Sequence, residues 1–441
     1  MMGNGNGSGN EHVAGHVDGN GSVNGSGSGD VHPHRHVPVH GPLHAGPARP
    51  APDGTLLECQ RQLFSLPDDV HYLNCAYMSP LLRSVEEAGI EGIRRKRVPS
   101  EIVPADFFAD RDRVRALFAQ LINAPDASRV ALVPAASYGL AVVARNTRLG
   151  KGQNIVVVEE QFPSNVHVWA RLCRAAGGEL RTVRRPAGPG GGAAWTERVL
   201  EAMDAATAVV AMPQVHWTDG TRFDLLRIGA RARELGAALV IDGTQSVGAL
   251  PFDVQAIQPD ALVCAGYKWL LAPYATGVAW YGPRYDGGIP LEETWIAREG
   301  SEDFRSLVHY RDAYQPGAAR YDAGGSPNFI LVPMLAAALE QVLAWTPDAI
   351  QAYCAELTRE LLEEAAALGF GVEEEAWRAA HLFGLRMPAG VDLASAQALL
   401  TERRISVSLR GNAMRVSPHV YNDERDVAAL REALRAIAGA A

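Results

Sequence analysis

Residues 238–268 read ALVIDGTQSVGALPFDVQAIQPDALVCAGYK. Two strand-like apolar runs, ALVID (238–242) and ALVCAGY (261–267), are separated by a Gly-bearing turn and a short polar stretch. The first run ends on a carboxylate, Asp242, and the second on an amine, Lys268, which lies 26 residues further on. Lysine is among the residue types least often buried. In one reading Lys268 closes a strand and its amine reaches solvent along an apolar stem. In the other it is desolvated, its pKa falls, and it becomes a nucleophile able to hold a carbonyl group as a Schiff base. Asp242 divides the same way, between a turn or cap residue and a functional carboxylate.

The flanking sequence repeats the pattern. RVALVP (129–134), NIVVVEE (154–160), ELRTVRR (179–185), AVVAMPQV (208–215) and GVAWYG (277–282) read as further strands. Helical patterns such as SNVHVWARLCRAAG (164–177) and LLRIGARARELG (225–236) lie between them. This alternation predicts an α/β fold with a mainly parallel sheet flanked by helices. GPGGGAAW (188–195) reads as a glycine-rich surface connection. Past about residue 327 the pattern changes to helices over 332–345, 352–369 and 423–437 with short strands between. The expected domains are a large one over 55–325 and a smaller α+β one over 326–441.

Composition bounds the partners. The chain has 441 residues with 47% apolar and 21% charged side chains, which is globular. A net charge of −9 gives no footprint for nucleic acid or an anionic membrane. Cys59, Cys75, Cys173, Cys264 and Cys354 are scattered without CxxC spacing, so neither a disulfide framework nor a zinc site is expected. No run is long enough to span a bilayer and no signal-like apolar region opens the chain, so a cytoplasmic enzyme or binding protein is the expectation. Residues 1–54 are rich in Gly, Asn, Ser and His without an aromatic residue, and read as a disordered tail. Seven of the 13 histidines lie in it. The tract His32 to His44 reads either as a weak metal-capture segment or as a solvated tail; because no rigid ligand geometry follows, the tail is the expectation and no metal site is expected.

Parallel α/β sheets bind ligands at the carboxyl ends of their strands. Asp242, Lys268, PAASYG (134–139) and EEQFPSNV (159–166) all fall at such ends. Singly each has an ordinary explanation: Ser137 as a helix N-cap, Phe162 as core. Together, with YLNCAYMSPL (72–81), GGSPN (324–328) and RVSPHVYN (415–422), they resemble the pyridoxal-phosphate enzymes of the class V aminotransferase type. That group includes cysteine desulfurases, kynureninases and isopenicillin N epimerase-like proteins. The resemblance covers roughly residues 65–440 and implies the type I fold of pyridoxal-phosphate-dependent transferases.

The resemblance implies a role for each matching residue. Lys268 would anchor the cofactor and then move the substrate Cα proton. Asp242 would hold the pyridine nitrogen protonated, which deepens the electron sink. Gln245 would bond the phenolic oxygen. The turn Ala136-Ser137-Tyr138-Gly139 would offer a helix N-terminus to the phosphate, with the Ser137 hydroxyl as an added donor, and Tyr267 would be a further phosphate contact. Relatives often carry Ser or Thr where Ala265 stands, so one contact is missing or supplied elsewhere. Ser326 would reach the phosphate of a neighbouring subunit, implying a homodimer. Phe162 would stack on the pyridine ring. His216 would face the cofactor or substrate, or be structural.

Arg415 matches the arginine for the substrate α-carboxylate, with Arg410 a second candidate. Desulfurases of this family carry a loop with a nucleophilic cysteine between two such positions. Here only GNAM (411–414) separates them, with no cysteine. The expectation is therefore a lyase cleaving C–S or Cβ–Cγ bonds, or an isopenicillin N type epimerase, without a catalytic cysteine loop. Transamination shares the same first step and stays open. A non-catalytic regulatory protein on this fold would be expected to lack Lys268 or Asp242. TWIAREGSEDFRSLVHYRD (294–312) reads as an active-site or interface loop.

Overall fold

The computed structural model describes residues 57–186 and 191–439, so the reading of 1–54 lies outside the described residues. The chain opens with β1 (His71–Tyr72), α1 (Arg83–Arg95) and α2 (Asp106–Leu121). An alternating stretch follows: β2 (Val130–Val133), α3 (Ala136–Arg145), β3 (Asn154–Val158), α4 (Ser164–Ala176), β4 (Glu179–Val183), α5 (Gly191–Ala202), β5 (Thr207–Pro213), α6 (Leu225–Leu235), β6 (Ala238–Asp242), α7 (Val254–Ile257), β7 (Ala261–Ala265) and β8 (Gly277–Tyr281). The remainder holds α8 (Leu331–Trp345), α9 (Pro347–Ala367), β9 (Phe383–Arg386), α10 (Leu393–Glu402), β10 (Ile405–Ser406), β11 (Ser408–Arg410), β12 (Ala413–Val416) and α11 (Glu424–Gly439).

All seven runs read as strands between 129 and 282 pair into one sheet, in the order β2-β8-β7-β6-β5-β3-β4. Only β8 runs against the others; it inserts between β2 and β7 and pairs antiparallel with both. The period-two alternation of a strand divides the core into two layers. Ala131, Ile155, Val209, Val240 and Val263 face α3 and α4, where Leu140, Val143 and Trp169 cover them. Leu132, Val156, Val210, Ile241 and Leu262 face the opposite layer, with Phe118, Trp195, Ile228 and Leu339. Burial on both faces explains why these strands read as continuous apolar runs. β4, at the edge, is mostly uncovered and carries Glu179 and Arg181, charges that suit an edge strand.

In GPGGGAAW, residues 188–190 lie outside the described residues, and GGAAW departs from the expected surface loop. The chain is helical from Gly191, and Gly191 and Gly192 are buried. A Cβ on Gly192 would come within 2.6 Å of Trp377 Cβ, so a residue without a side chain is needed for close approach there.

The three-stranded sheet β11-β12-β9 is antiparallel. Leu385, Met414 and Val416 share an apolar cluster with Leu361, Leu400 and Leu434 from α9, α10 and α11. β1 pairs with β10, and the Ser417 N–H donates to Leu73 O, which ties the N-terminal segment to this sheet. α8 packs against α1 and α2. Among the described residues no helix is long and apolar enough to cross a membrane.

Candidate active site

The carboxyl ends of β2, β3, β5, β6 and β7 surround a cavity of about 240 Å³. Lys268, Asp242, Gln245, Ser137, Phe162 and Tyr267 all line it, so six of the sequence candidates converge from separate loops. Backbone strain gathers at its rim. Glu160, Leu271 and Ala275 have φ of 53°, 55° and 64°, left-handed values that side-chain-bearing residues rarely adopt. They flank Phe162 and the loop after Lys268.

Lys268 is 6% exposed. Burial first, and then the Arg415 charge, pull its amine from 10.5 down to about 8. Asp242 opposes this but does not win. The amine lies 5.5 Å from the Phe162 ring centroid and 5.6 Å from that of Tyr267. Asp242 is also buried, and burial raises its carboxyl above the usual range against bonds from Thr244. One oxygen accepts the Thr244 N–H at 3.0 Å, so the turn reading of Asp242 is correct locally. The carboxyl is left desolvated beside a cavity, where a cationic partner would lower its energy.

Ala135 and Ser137 place the start of α3 on the cavity wall. The N-cap is Ala135 and has no side-chain cap bond, so Ser137 is not the cap; its side chain is exposed. The first N–H groups of a helix lack intrahelical partners and attract anions. Gly139 allows this approach: a Cβ there would meet Val263 Cγ1 at 2.7 Å. Thr244, passed over in the sequence, also lines the cavity. Its hydroxyl accepts the Ala265 N–H at 3.1 Å. The Gln245 amide is partly engaged: Nε2 donates to Ala76 O at 3.2 Å and Oε1 accepts the Trp269 Nε1–H at 2.9 Å, leaving one Nε2 proton. Buried amine, buried carboxyl, open helix terminus and aromatic wall together fit pyridoxal phosphate.

Other candidates sit further out. Arg415 is 1% exposed on β12; its guanidinium donates to Trp217 O at 2.9 Å and to Ser408 Oγ at 3.2 Å. Its Nε has no partner, and burial, with Arg410 adding to it, lowers its pKa to about 10. Arg410 lies 5.5 Å over the Trp217 ring. Trp217 went unnoticed in the sequence, yet it lines the cavity and meets Phe162 edge-on at 5.5 Å.

His216, Tyr138, Ser326, Arg415 and Arg410 do not line the cavity; the two arginines reach it only through Trp217, which both contact. His216 is wholly buried: Nε2 donates to Glu159 O at 3.1 Å, while Nδ1 lies 2.7 Å from Thr218 Oγ1 and 3.1 Å from an Arg185 nitrogen. Burial lowers its pKa to about 4, and its ring stands outside the cavity lining. The Tyr138 phenol is raised by burial and by a bond with Glu292. Ser326 is 7% exposed, with Oγ lacking a partner among the described residues. The segment 294–312 lines a different cavity.

Residues 104–430 match the Aminotransferase class-V family. Isopenicillin N epimerase of Streptomyces clavuligerus is 27% identical over 380 residues, covering 83% of this chain and 94% of the epimerase. A cysteine desulfurase of Enterobacter sp. (strain 638) is 29% identical over 58% of this chain and 62% of its own length. Among solved structures, the Escherichia coli cysteine desulfurase CsdA superposes with a TM-score of 0.72 at 22% identity, over 86% of this chain and 97% of its own. The cystine C-S lyase C-DES gives 0.73 at 17%, over 83% and 97%. At those identities the superpositions establish the fold. The chain belongs to the class V aminotransferase family of pyridoxal-phosphate enzymes.

Proposed function

We propose that the chain removes the Cα proton of an L-amino acid and completes either β-elimination, cleaving a C–S or Cβ–Cγ bond, or epimerisation, without a protein persulfide. One arrangement carries this reading: the buried amine of Lys268 lines the cavity together with Trp217, which is held by a buried guanidinium, Arg415, that no carboxylate neutralises among the described residues. Bound pyridoxal phosphate supplies the electron sink for a carbanion at Cα. Arg415 takes the substrate carboxylate in a bidentate grip and so fixes where Cα sits. Lys268, with its pKa near 8, is close enough to neutral pH to accept the proton and return it. Phe162 and Trp217 exclude water and carry no transferable proton at their faces.

The hairpin of β11 and β12 supports the absence of a persulfide step. Arg410 pairs with Ala413 across a two-residue turn, Gly411-Asn412, with Gly411 at φ 57°. No loop is present there to carry a cysteine. Cys75, near Lys268, is buried and its thiol is pushed up to about 12; burial also raises the Cys264 thiol well above its ordinary value. The homodimer is part of the same proposal. It is supported by Tyr77 and Tyr274, apolar rings 58% and 65% exposed near the active site, which a second copy would cover.

The test is an L-amino-acid panel in deuterated water with the holoenzyme. Exchange at Cα with inversion and no mass-changing product identifies an epimerase. Release of pyruvate, alanine or a sulfur species identifies a lyase. Turnover that requires a keto acid identifies transamination and overturns the proposal, as does an absence of Cα exchange with every substrate.

A further inference from the structure

The register of the small sheet aligns three arginines. Arg415 lies opposite Ser408 on one side and Gly384 on the other. One repeat along, Ala413 lies opposite Arg410 and Arg386. Directly opposed residues share a face, as do residues two apart, so Arg415, Arg410 and Arg386 all stand on one face of the sheet. Gly384, Ala413 and Ser408 between them are small and leave room. The two rows are about 7 Å apart along the strands.

Over the second row lies a cleft of about 430 Å³, lined by Arg185, Arg386 and Arg410 with Glu160 and Asp219. Gln161 and Trp217 line both this cleft and the Lys268 cavity, so they form a common wall. The two carboxylates are already engaged. Asp219 takes Arg185 at 2.5 Å and lies 3.7 Å from Arg386, and Glu160 lies 3.8 Å from Arg185. Arg410 has no carboxylate within ion-pair distance among the described residues. Its NH1 donates to Leu409 O at 2.8 Å, its plane is steadied on Trp217, and its Nε is buried without a partner.

We infer that this cleft is a substrate side-chain subsite in which Arg410, assisted by Arg386, recognises a distal carboxylate. The substrate is then a dicarboxylic L-amino acid, α-carboxylate on Arg415 and side-chain carboxylate one strand repeat away. That separation suits a chain longer than aspartate's. The inference rests on the proposed binding of the α-carboxylate by Arg415, and the test separates the two.

Dissociation constants are read from the change in visible absorbance of the holoenzyme on adding L-glutamate or its methyl isostere L-norvaline, and L-aspartate or L-2-aminobutyrate. The wild type should prefer glutamate over norvaline by about tenfold to a hundredfold, the worth of one charged hydrogen-bonded contact, and by more than it prefers aspartate over aminobutyrate. Arg410→Met should abolish the preference and leave norvaline binding unchanged. Arg386→Gln should reduce it partially, which keeps the test open if the first variant fails to fold. Arg415→Lys should weaken all four ligands alike. Equal binding of glutamate and norvaline by the wild type would overturn the subsite. Equal weakening of both by Arg410→Met would overturn it too, and would make Arg410 the α-carboxylate ligand. Unchanged binding of all four in Arg415→Lys would instead overturn the assignment of Arg415.

Discussion

Replacing Lys268 with methionine should stabilise the cofactor-free protein, and the gain should fade as pH rises. The amine titrates at about 8 when folded, against an ordinary 10.5. A base whose pKa is lowered by folding binds its proton less tightly in the native state. Below about pH 8 the lysine is charged in both states and the folded state carries the full desolvation cost. Between about 8 and 10.5 the unfolded chain holds the proton and the native one does not, so stability rises with pH there. At about 1.4 kcal/mol per pKa unit, the cost at pH 7 is about 3 kcal/mol. Methionine has a similar length and no charge, so Lys268→Met should recover most of it. The assay is urea unfolding of both cofactor-free proteins, followed by tryptophan fluorescence at pH 7 and again near pH 10. A higher urea midpoint for the variant at pH 7, with the difference mostly lost near pH 10, supports the desolvated amine. A variant that is no more stable at pH 7, or whose advantage does not change with pH, refutes it.

Gly139→Ala should push the start of α3 away from Val263, costing about 1–3 kcal/mol in stability and weakening cofactor affinity, measured by equilibrium dialysis. Asp242→Asn should lower turnover far more than it lowers stability, because the amide removes the buried charge that we propose pairs with the cofactor's ring nitrogen; the check is a comparison of kcat with the urea midpoint. Cys75→Ala should retain turnover and cofactor content, since its thiol is buried and protonated; loss of turnover with the cofactor still bound would bring a protein thiol back into the chemistry.

The main sheet was legible because all its strands but the edge strand β4 are buried on both faces and bounded by Gly and charged turns, so these runs stood out without knowledge of their neighbours. The order of the strands was not: nothing local in GVAWYG says that β8 inserts between β2 and β7. The converging loops were found because Asp242, Lys268, Ser137 and Phe162 follow strands that end on one side. Trp217 and Thr244 escaped notice since each works through a neighbour, Trp217 by bracing Phe162 and Arg410 and Thr244 by accepting the Ala265 N–H. His216 illustrates the converse. Its position after a strand is right for a ligand, but the ring turns into the wall, where Glu159 and Thr218 use both nitrogens. The helical start of α5 was hidden because glycine runs read as loops unless the packing that requires them, here against Trp377, is known.

The most direct test of the account is borohydride reduction of the purified protein with bound pyridoxal phosphate, followed by peptide mass mapping. The account predicts that reduction shifts the visible absorbance and leaves a pyridoxyl label on Lys268 alone. A label on another lysine, or a colourless protein that takes up no added cofactor, would contradict it.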